Sequence, residues 1–425
     1  MSNTLRIAAC ASVLGLAGCN LDVTNPSVID ANGFDPGADA PTLALSGQSL
    51  FFLAYQDVAL YGGLISEEEW TAAIRLQTNN IASRNFVGTD DITVDFFSPM
   101  SVALVANINA ATVIGKGDSA ATDLNLATVQ MNAGFSFEIM AETMCASAIQ
   151  GGPQVSDAQL LDSAITRLTA AVTIATANGP NGAAIVAQSD VGLARAYLQN
   201  GQYANAATAA ALVPPGFTAY VVTSANSSTY TTLANQFYFT MLEGQLVVPA
   251  LYRDLNDPRV PSDSTTCTLT NDLLPCVLQL KYTGFASTIR LASSLEAQFI
   301  SAEAQLHGSG NTGPALTLIT SERAAGGQGG YSGGADTLSV LTELLNQRAR
   351  EFWMEGKKLG DLRRNPSVPL AGVLTDPNGA PFYGVGSATF GSTFCVPIPP
   401  EETGANHNLS GSSAASRVRS SSRGH

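Results

Sequence analysis

Apolar and polar positions alternate with a helical period over long parts of the chain. From Ser156 onward, apolar residues recur at steps of three and four, which predicts a helix with one buried face. The recurring positions are Leu161, Ile165, Leu168, Val172 and Ala175. Ser156 and Gln159 have the spacing of a capping box, so this helix is expected to begin there. Further helices are predicted at roughly Pro41 to Tyr55 and from Thr337 to Glu355.

The stretch from Val191 to Pro214 is typical of a tetratricopeptide helix pair. The residues at the spacing of that repeat are Ala194, Tyr197, Gly201, Tyr203, Ala206 and Ala210. Gly201 is predicted to end the first helix, and Tyr203 to fill the gap between neighbouring helices. A weaker second copy runs from Glu296 to Gly327. Because stacked helix pairs bury their faces against one another, we expect a mainly α fold of tetratricopeptide-like helix-pair repeats.

Two stretches, 215–290 and 365–400, break the helical pattern. The first carries many aromatic side chains among Ser, Thr, Asn and Asp, and the second is rich in Gly and Pro. Such sequences favour irregular loops and short hairpins. We therefore expect them to be large insertions between helix pairs, where binding surfaces usually lie.

The N-terminus has the pattern of a bacterial export signal. Arg6 gives a weakly positive start, and the apolar run Ile7–Leu16 is too short to span a bilayer. Residues 1–18 are therefore predicted to be a signal peptide, and no transmembrane helix is predicted after it. The LAGC stretch ending at Cys19 resembles a bacterial lipobox, which predicts lipidation of Cys19. The alternative is an ordinary secretory signal in which Cys19 is incidental.

Composition and charge restrict the domain organisation and the partners. The 425 residues carry 20 Lys and Arg against 34 Asp and Glu, a net charge of −14, so nucleic acids are poor partners. Residues 19–40 are rich in Pro, Gly, Asn and Asp and are expected to form a tether. One domain is expected over residues 41–410. Residues 411–425, rich in Ser and Arg, are expected to be disordered.

The cysteines that follow Cys19 are interpreted for an oxidising compartment. Cys267 and Cys276 bracket a short, polar, turn-rich loop, which favours a local disulfide. Cys145 lies in an apolar helical stretch, which favours a buried thiol; for Cys395 no state is predicted. The chain has no C-x-x-C pair and its three His lie far apart, so no metal site is predicted.

The sequence also carries none of the catalytic motifs that a single chain reveals. There is no G-x-S-x-G elbow, no H-E-x-x-H and no phosphate-binding P-loop. Acidic residues are scattered, and no pattern pairs two of them as a glycosidase requires. We therefore do not expect an enzyme, and no cofactor is predicted.

The stretch EFWMEGKKLGDLRR, residues 351–364, concentrates charge in a chain that is only 13% charged. Phe352 continues the apolar stripe of the preceding helix, so the segment is expected to be partly buried where that helix ends, with Gly356 and Gly360 as helix breakers. Buried charges need partners, which predicts an internal ion cluster with a structural role. Its predicted members are Arg348, Arg350, Glu351, Glu355, Asp361, Arg363 and Arg364.

These residues resemble the C-terminal motif of the SusD/RagB family of bacterial outer-membrane nutrient-uptake lipoproteins. The matching positions are Arg348, Arg350, Glu351, Phe352, Glu355, Gly356 and 361–364, then Pro397, Ile398, Pro399, Glu402 and Asn406. The lipobox, the NPSV tether, the helix pair at 194–210 and the NDPR stretch at 256–259 follow the order seen in that family. Leu359-Gly360 stands where aromatic residues are common in the family, which is expected to loosen local packing, and His407 where Pro is usual.

The resemblance implies a function. Proteins of this family sit on the outer face of the outer membrane, where they cap a SusC-like TonB-dependent porin and pass oligosaccharide or other nutrients to it. Asn20, which follows the lipidated position, agrees with sorting to the outer membrane. A sugar site would use aromatic side chains near polar groups. The candidate ligand residues are Trp70, Tyr220, Tyr230, Tyr238, Tyr252 and Tyr282. The alternative is a helical-repeat scaffold lipoprotein in outer-membrane assembly without a nutrient ligand.

Overall fold

The computed structural model of the chain describes residues 33–86, 91–226, 233–264, 268–269, 274–369, 373–384 and 389–409, apart from the side chains of 91–94. Contacts divide the chain into residues 1–35 and residues 36–425, and the elements below all belong to the second unit. The predicted signal peptide, Cys19, Tyr230, Cys267 and the predicted tail at 411–425 lie outside the described residues, as does most of the predicted tether.

Helices dominate the described residues. The first group is α1 (Ala40–Ile65), α2 (Leu76–Ala82), α3 (Asp91–Ile114), α4 (Leu124–Thr143), α5 (Asp157–Ala177), α6 (Ala183–Gln199) and α7 (Tyr203–Leu212). The second group is α8 (Gln236–Leu242), α9 (Ser294–Ser309), α10 (Gly313–Ala325), α11 (Thr337–Glu351), α12 (Lys358–Arg364) and α13 (Pro400–Ala405). Helix α1 packs on α3, and the chain of contacts continues through α4, α5, α6, α7 and α9 to α10 and α11. The predicted mainly α, helix-pair architecture is confirmed.

The strands are short and pair two by two. They are β1 (Trp70–Thr71), β2 (Ser147–Ala148), β3 (Gln154–Val155), β4 (Thr218–Val221), β5 (Leu246–Val247), β6 (Ser262–Ser264), β7 (Val277–Gln279) and β8 (Ile289–Ser293). The antiparallel pairs are β1 with β5, β2 with β3, β4 with β8 and β6 with β7. Most of them lie in the stretch predicted to interrupt the helices. This part of the fold brings β1 next to the 215–290 insertion.

Local sequence signals explain several helix boundaries. The capping box predicted for α5 is present: Ser156 accepts from the backbone N–H of Gln159, whose side chain accepts in return. Helix α1 runs ten residues past the predicted end at Tyr55, to Ile65, because its C-terminal part is buried on all sides and needs no polar face. Gly201 ends the first helix of the predicted pair at a positive φ of 70°.

Tyr203 and His307 join the two predicted repeats. Their rings stack with centroids 5.1 Å apart, so Tyr203, at the start of α7, fills the gap to α9 as the repeat spacing predicts. The His307 Nε2 atom also lies 3.0 Å from the side-chain oxygen of Asn365. The contact therefore links α7, α9 and the end of α12.

Two helices have the length and mean hydropathy of a membrane span, namely α3 from Asp95 to Ile114 and α5. Both also fit the helical layers of the fold, because α3 packs against α1 and α4, and α5 against α4 and α6. The buried positions of α5 include Leu161, Leu168 and Ala175, which belong to the predicted apolar face. This packing buries 50% of the α3 span and 33% of the α5 span.

The prediction of a buried thiol at Cys145 is wrong. Cys145 follows the end of α4, is exposed, and forms a disulfide with Cys395 across a sequence separation of 250 residues. The backbone supports the bond, since Cys145 N–H donates to the Val396 carbonyl and Val396 N–H to the Thr143 carbonyl, each at 2.9 Å. Cys276 is also disulfide-bonded; Cys267, its predicted partner, lies outside the described residues.

The segment after α11 also departs from the predictions. Helix α11 ends at Glu351 rather than Glu355, because Met354 and Gly356 adopt positive φ values of 59° and 71°. Gly360 is not a helix breaker: it lies buried inside α12, where a β-carbon would meet the Glu142 carboxylate at 2.8 Å. The expected loosening at Leu359 is absent as well, since Leu359 belongs to the main apolar core.

Candidate functional site

The surface around Trp70 combines aromatic and cationic side chains from three distant parts of the chain. Trp70 begins β1, where antiparallel pairing with β5 places it opposite Val247. The next residue, Thr71, donates its backbone N–H to the hydroxyl of Tyr383 at 3.0 Å. Arg253, six residues after β5, reaches back over the Trp70 ring. Trp70, Arg253 and Tyr383 are all partly exposed, and we call this group the Trp70 site.

The three side chains form a stack. The Trp70 and Tyr383 rings lie 4.0 Å apart at an angle of 20°, and the Arg253 guanidinium carbon lies 5.0 Å from the centre of the Trp70 ring. Because a ring stacked at this distance fills one face of the indole, the guanidinium must lie over the other face. Tyr383 is backed in turn by the buried rings of Phe382 and Phe390. The stack therefore presents a cation at the end away from the aromatic cluster.

Arg253 retains unused hydrogen-bonding capacity. Its Nε donates to the Val248 carbonyl at 2.8 Å, which fixes the direction of the guanidinium. Its Nη2 is buried without an acceptor among the described residues, and no hydrogen bond to a described residue occupies Nη1. The indole Nε1 of Trp70 is likewise buried without an acceptor in the described part of the chain. Of these donors, Nη1 is the one that is neither buried nor bonded, so a ligand with an acceptor oxygen can reach the site there.

Beneath the Trp70 site lies an unusual run of three buried glutamates, Glu67 to Glu69. Glu67 has a positive φ of 58° and pairs with Arg84, which lies over the Phe390 ring. Burial raises the pKa of Glu67 to about 7, although the positive charges of Arg84 and Lys358 oppose this shift. The run thus anchors β1 from inside while Trp70 faces outward.

Glu68 and Glu69 have fewer partners than Glu67. Glu68 accepts from the Met354 backbone N–H at 3.0 Å, and burial raises its pKa to about 7. Neither carboxylate oxygen of Glu69 has a hydrogen-bond partner among the described residues. Burial, and next the negative charge of Glu68, hold the pKa of Glu69 well above its usual range. This shift favours the neutral form of Glu69, which lowers the negative charge beside the Trp70 site.

The likeness of the chain to known proteins lies in its fold rather than in its sequence. No family sequence model matches it, and no curated protein is similar to it in sequence. A SusD superfamily protein from Bacteroides vulgatus aligns over 87% of this chain and 98% of its own length, with a TM-score of 0.63 at 15% identity. A SusD superfamily protein from Parabacteroides distasonis covers the same shares, with a TM-score of 0.65 at 12% identity. The chain has the SusD-like fold.

A third match carries a functional description. A SusD-like carbohydrate binding protein from Bacteroides vulgatus aligns over 87% of this chain and 96% of its own length, with a TM-score of 0.56 at 14% identity. The SusD-like fold predicted from the C-terminal motif is thus confirmed. At these identities the likeness concerns the fold, and the binding residues must be argued from this chain alone.

Within the SusD-like fold, the aromatic candidates lie in different environments. Tyr252 and Tyr282 are buried, at 0% and 3% exposure, so their proposed contact with a ligand is wrong. Their hydroxyls bond inside the protein, Tyr282 to the Met354 carbonyl at 2.9 Å and Tyr252 with the Lys358 ammonium at 3.0 Å. Both rings complete the core under the loops. Sequence alone does not distinguish this role from an exposed one.

The other candidates reach the surface to different degrees. Tyr220 on β4 is 48% exposed. Tyr238 on α8 is partly buried and packs edge-on against Phe285 at 5.1 Å. Of the candidates that are described and at least partly exposed, Trp70 is the one with both a stacked aromatic ring and a cation over its own ring.

The residues of the C-terminal SusD-like motif hold the fold together through three ion networks. In the first, Asp361 accepts from Arg348 Nε and from Arg364 Nη2, both at 2.7 Å. Arg364 also contacts Glu303 on α9 at 2.8 Å. Because all four side chains are buried, the network fixes α11 and α12 against α9.

Glu296, at the start of α9, extends this network into the core. It accepts from Arg195 at 2.8 Å and lies 3.3 Å from Lys357 and 3.6 Å from Arg348. Burial alone would raise the pKa of Glu296, but the positive charges of Arg195, Lys357 and Arg348 hold it at about 2. Burial lowers the pKa of Lys357 to about 8. The group is a compensated internal network rather than a ligand site.

The remaining motif residues form two further contacts. Glu355 accepts from Arg290 at 2.9 Å and from Lys281 at 2.7 Å, and Glu351 accepts from Arg290 at 2.9 Å. Arg363 binds Asp157 at 2.9 Å, at the start of α5. Arg350, also a predicted member of the cluster, forms no ion pair with a described residue. Burial lowers its pKa, and the negative charges of Asp257 and Glu343 oppose this shift.

Two members of the Trp70 site, Arg253 and Tyr383, were not predicted. Arg253 directly follows Tyr252, which was singled out for its aromatic ring although it points into the core. Tyr383 lies in the 365–400 stretch, in the sequence PFYG. Its two adjacent aromatic residues before a glycine could have indicated an aromatic surface there. Among the described residues, no group of three or more His, Cys, Asp and Glu could hold a metal ion.

Proposed function

We propose that the protein is a surface-exposed outer-membrane lipoprotein that captures oligosaccharide or a related nutrient and delivers it to a SusC-like TonB-dependent porin. The observation that carries the proposal is the SusD-like fold over 87% of the chain, shared with a protein described as carbohydrate binding. The lipobox at Cys19 supports attachment to a membrane. The C-terminal motif supports the same family of nutrient-uptake proteins.

The Trp70 site is suited to binding rather than to chemistry. It offers aromatic and guanidinium surface together with donors that lack acceptors. Ile74 and Leu76, which follow β1, add exposed apolar surface at 66% and 51% exposure. Sugars present both C–H faces and hydroxyl oxygens, so a mixed surface of this kind fits them.

The proposal is tested by calorimetric titration of the purified protein with a panel of neutral and acidic oligosaccharides. We expect at least one to bind, and Trp70→Ala to weaken that binding by about tenfold or more. Tyr220→Ala, which removes an exposed aromatic ring from β4, is the matched control and should leave the affinity within about twofold. Thermal melting of each variant checks that the fold persists.

Two results would count against the proposal. If no oligosaccharide in the panel binds, a carbohydrate-capturing role is contradicted. If binding is lost in Tyr220→Ala but kept in Trp70→Ala, the protein captures a nutrient elsewhere and the Trp70 site is not responsible. Co-purification from the native membrane provides the partner test, in which a TonB-dependent porin is expected with the protein.

A further inference from the structure

We propose that the Trp70 site selects saccharides that carry a carboxylate, and that Arg253 is the residue that binds this group. The inference rests on the proposed function, because it names the class of saccharide for the same site. Among the described residues, no carboxylate lies at ion-pair distance from Arg253.

Several arginines of the fold are paired with acids. Arg84 pairs with Glu67, Arg195 lies 2.8 Å from Glu296, and Arg290 lies 2.9 Å from an oxygen of Glu355. Arg253 has no carboxylate at ion-pair distance within the described ranges, a property that it shares with Arg167 and Arg350. A partly buried cation without a counter-ion favours an anionic ligand.

The guanidinium keeps one accessible donor for a carboxylate. Nε is occupied by the Val248 carbonyl and Nη2 is buried, which leaves Nη1 as the nitrogen that a ligand can reach. A hydrogen bond from this charged group to a carboxylate is stronger than one to a neutral hydroxyl. Stacking on Trp70 holds the plane of the guanidinium, so little side-chain freedom is lost on binding.

The charges around Arg253 permit an anionic ligand but limit the negative charge that it can carry. Asp254, the next residue, is exposed and is the carboxylate that acts on Arg253. Burial raises the pKa of Glu69 well above its usual range, which favours its neutral form and so lowers the repulsion of an anionic ligand. The molecule as a whole carries −14. A saccharide with one carboxylate therefore fits better than a polyanion.

The test uses a xylo-oligosaccharide that bears one glucuronic acid and its carboxyl-reduced form, which differ only at the carboxylate. In calorimetric titrations of the wild-type protein, we expect the acid to bind at least about tenfold more tightly than the reduced form, and this preference to fall as NaCl is raised. Arg253→Gln should remove the preference, whereas Arg253→Lys should keep part of it as a point charge. Arg323→Gln, which removes one positive charge from α10, is the matched control and should keep the full preference.

The comparison of the two ligands needs no variant, so it does not depend on how Arg253→Gln folds. Equal affinity for the acid and the reduced form would overturn the inference while leaving the proposed function intact. Tighter binding of a sulfated xylo-oligosaccharide or of an acidic peptide than of the glucuronic acid ligand would also overturn it. If no saccharide of either kind binds, the proposed function itself fails, and the inference fails with it.

Discussion

Three consecutive buried glutamates link the sequence to the site at the scale of single residues. The run holds β1 from inside, and Glu69 has no hydrogen-bond partner among the described residues for either carboxylate oxygen. An ionised carboxylate in that position would be destabilising, so burial favours the protonated form in the native state. Burial also raises the pKa values of Glu67 and Glu68 to about 7, so folding favours their protonated forms as well.

This arrangement predicts how stability depends on pH. The folded-state pKa of Glu69 lies above its ordinary value of 4.5, so its contribution to stability is fully present below pH 4.5 and is lost as the pH rises through the folded-state value. The melting temperature of the wild-type protein should therefore fall between pH 5 and pH 8. Glu69→Gln keeps the neutral shape and cannot ionise, so it should be more stable than wild type at pH 8 by about 1–3 kcal/mol.

Thermal melting across this pH range checks the prediction. Glu401→Gln is the matched control, since Glu401 is exposed, and it should reproduce the wild-type profile. Equal loss of stability in Glu69→Gln and wild type would show that Glu69 does not bind a proton on folding.

The disulfide between Cys145 and Cys395 acts at the scale of elements. It joins the end of α4 to the segment that precedes α13, and the backbone bonds between residues 143–145 and Val396 run alongside it. The same C-terminal segment carries Tyr383, which stacks on Trp70. The bond therefore helps to hold one wall of the Trp70 site against the helical layers.

Removal of this bond should destabilise the protein substantially. Replacing Cys145 and Cys395 by Ser opens a loop of 250 residues in the unfolded chain, which is expected to cost roughly 3–5 kcal/mol. The measurement is the free energy of unfolding in urea without reductant. Cys276→Ser is the comparison variant, and we expect a smaller loss for it if Cys276 closes the short loop predicted with Cys267. A loss in the double variant no greater than that in Cys276→Ser would contradict this account.

The helix pair α6–α7 and the disulfide show why prediction from sequence succeeds for some features of the fold and fails for others. The pair α6–α7 could be predicted because Gly201 and Tyr203 act within one short stretch. The disulfide could not, because its two cysteines lie 250 residues apart and the helical pattern at Cys145 carries no information about Cys395. The Trp70 site could be predicted in part. Trp70 was a candidate from the sequence, but Tyr383 was not, because its contact with Thr71 joins residues 312 positions apart.

At the scale of the whole molecule, the net negative charge and the cation of the Trp70 site have different roles. A net charge of −14 favours solubility, while Arg253 provides a local exception that the overall charge does not reveal. The proposed role further requires that the domain be held at the membrane. In our proposal this depends on Cys19 and the residues before α1.

Lipidation of Cys19 should decide where the protein is found. Several acyl chains on one thiol, at about 0.8 kcal/mol for each buried CH₂ group, are sufficient for stable anchoring. Cys19→Ser removes the thiol that would carry them, so we expect the variant to leave the membrane fraction while its melting temperature is unchanged, because the helical layers begin only at Ala40. Immunoblotting of washed membranes and soluble fractions measures the distribution.

Cys10→Ser is the matched control, since Cys10 lies in the predicted signal peptide and should not affect anchoring. If Cys19→Ser stays in the washed membranes, a surface of the folded domain, rather than a lipid, holds the protein there.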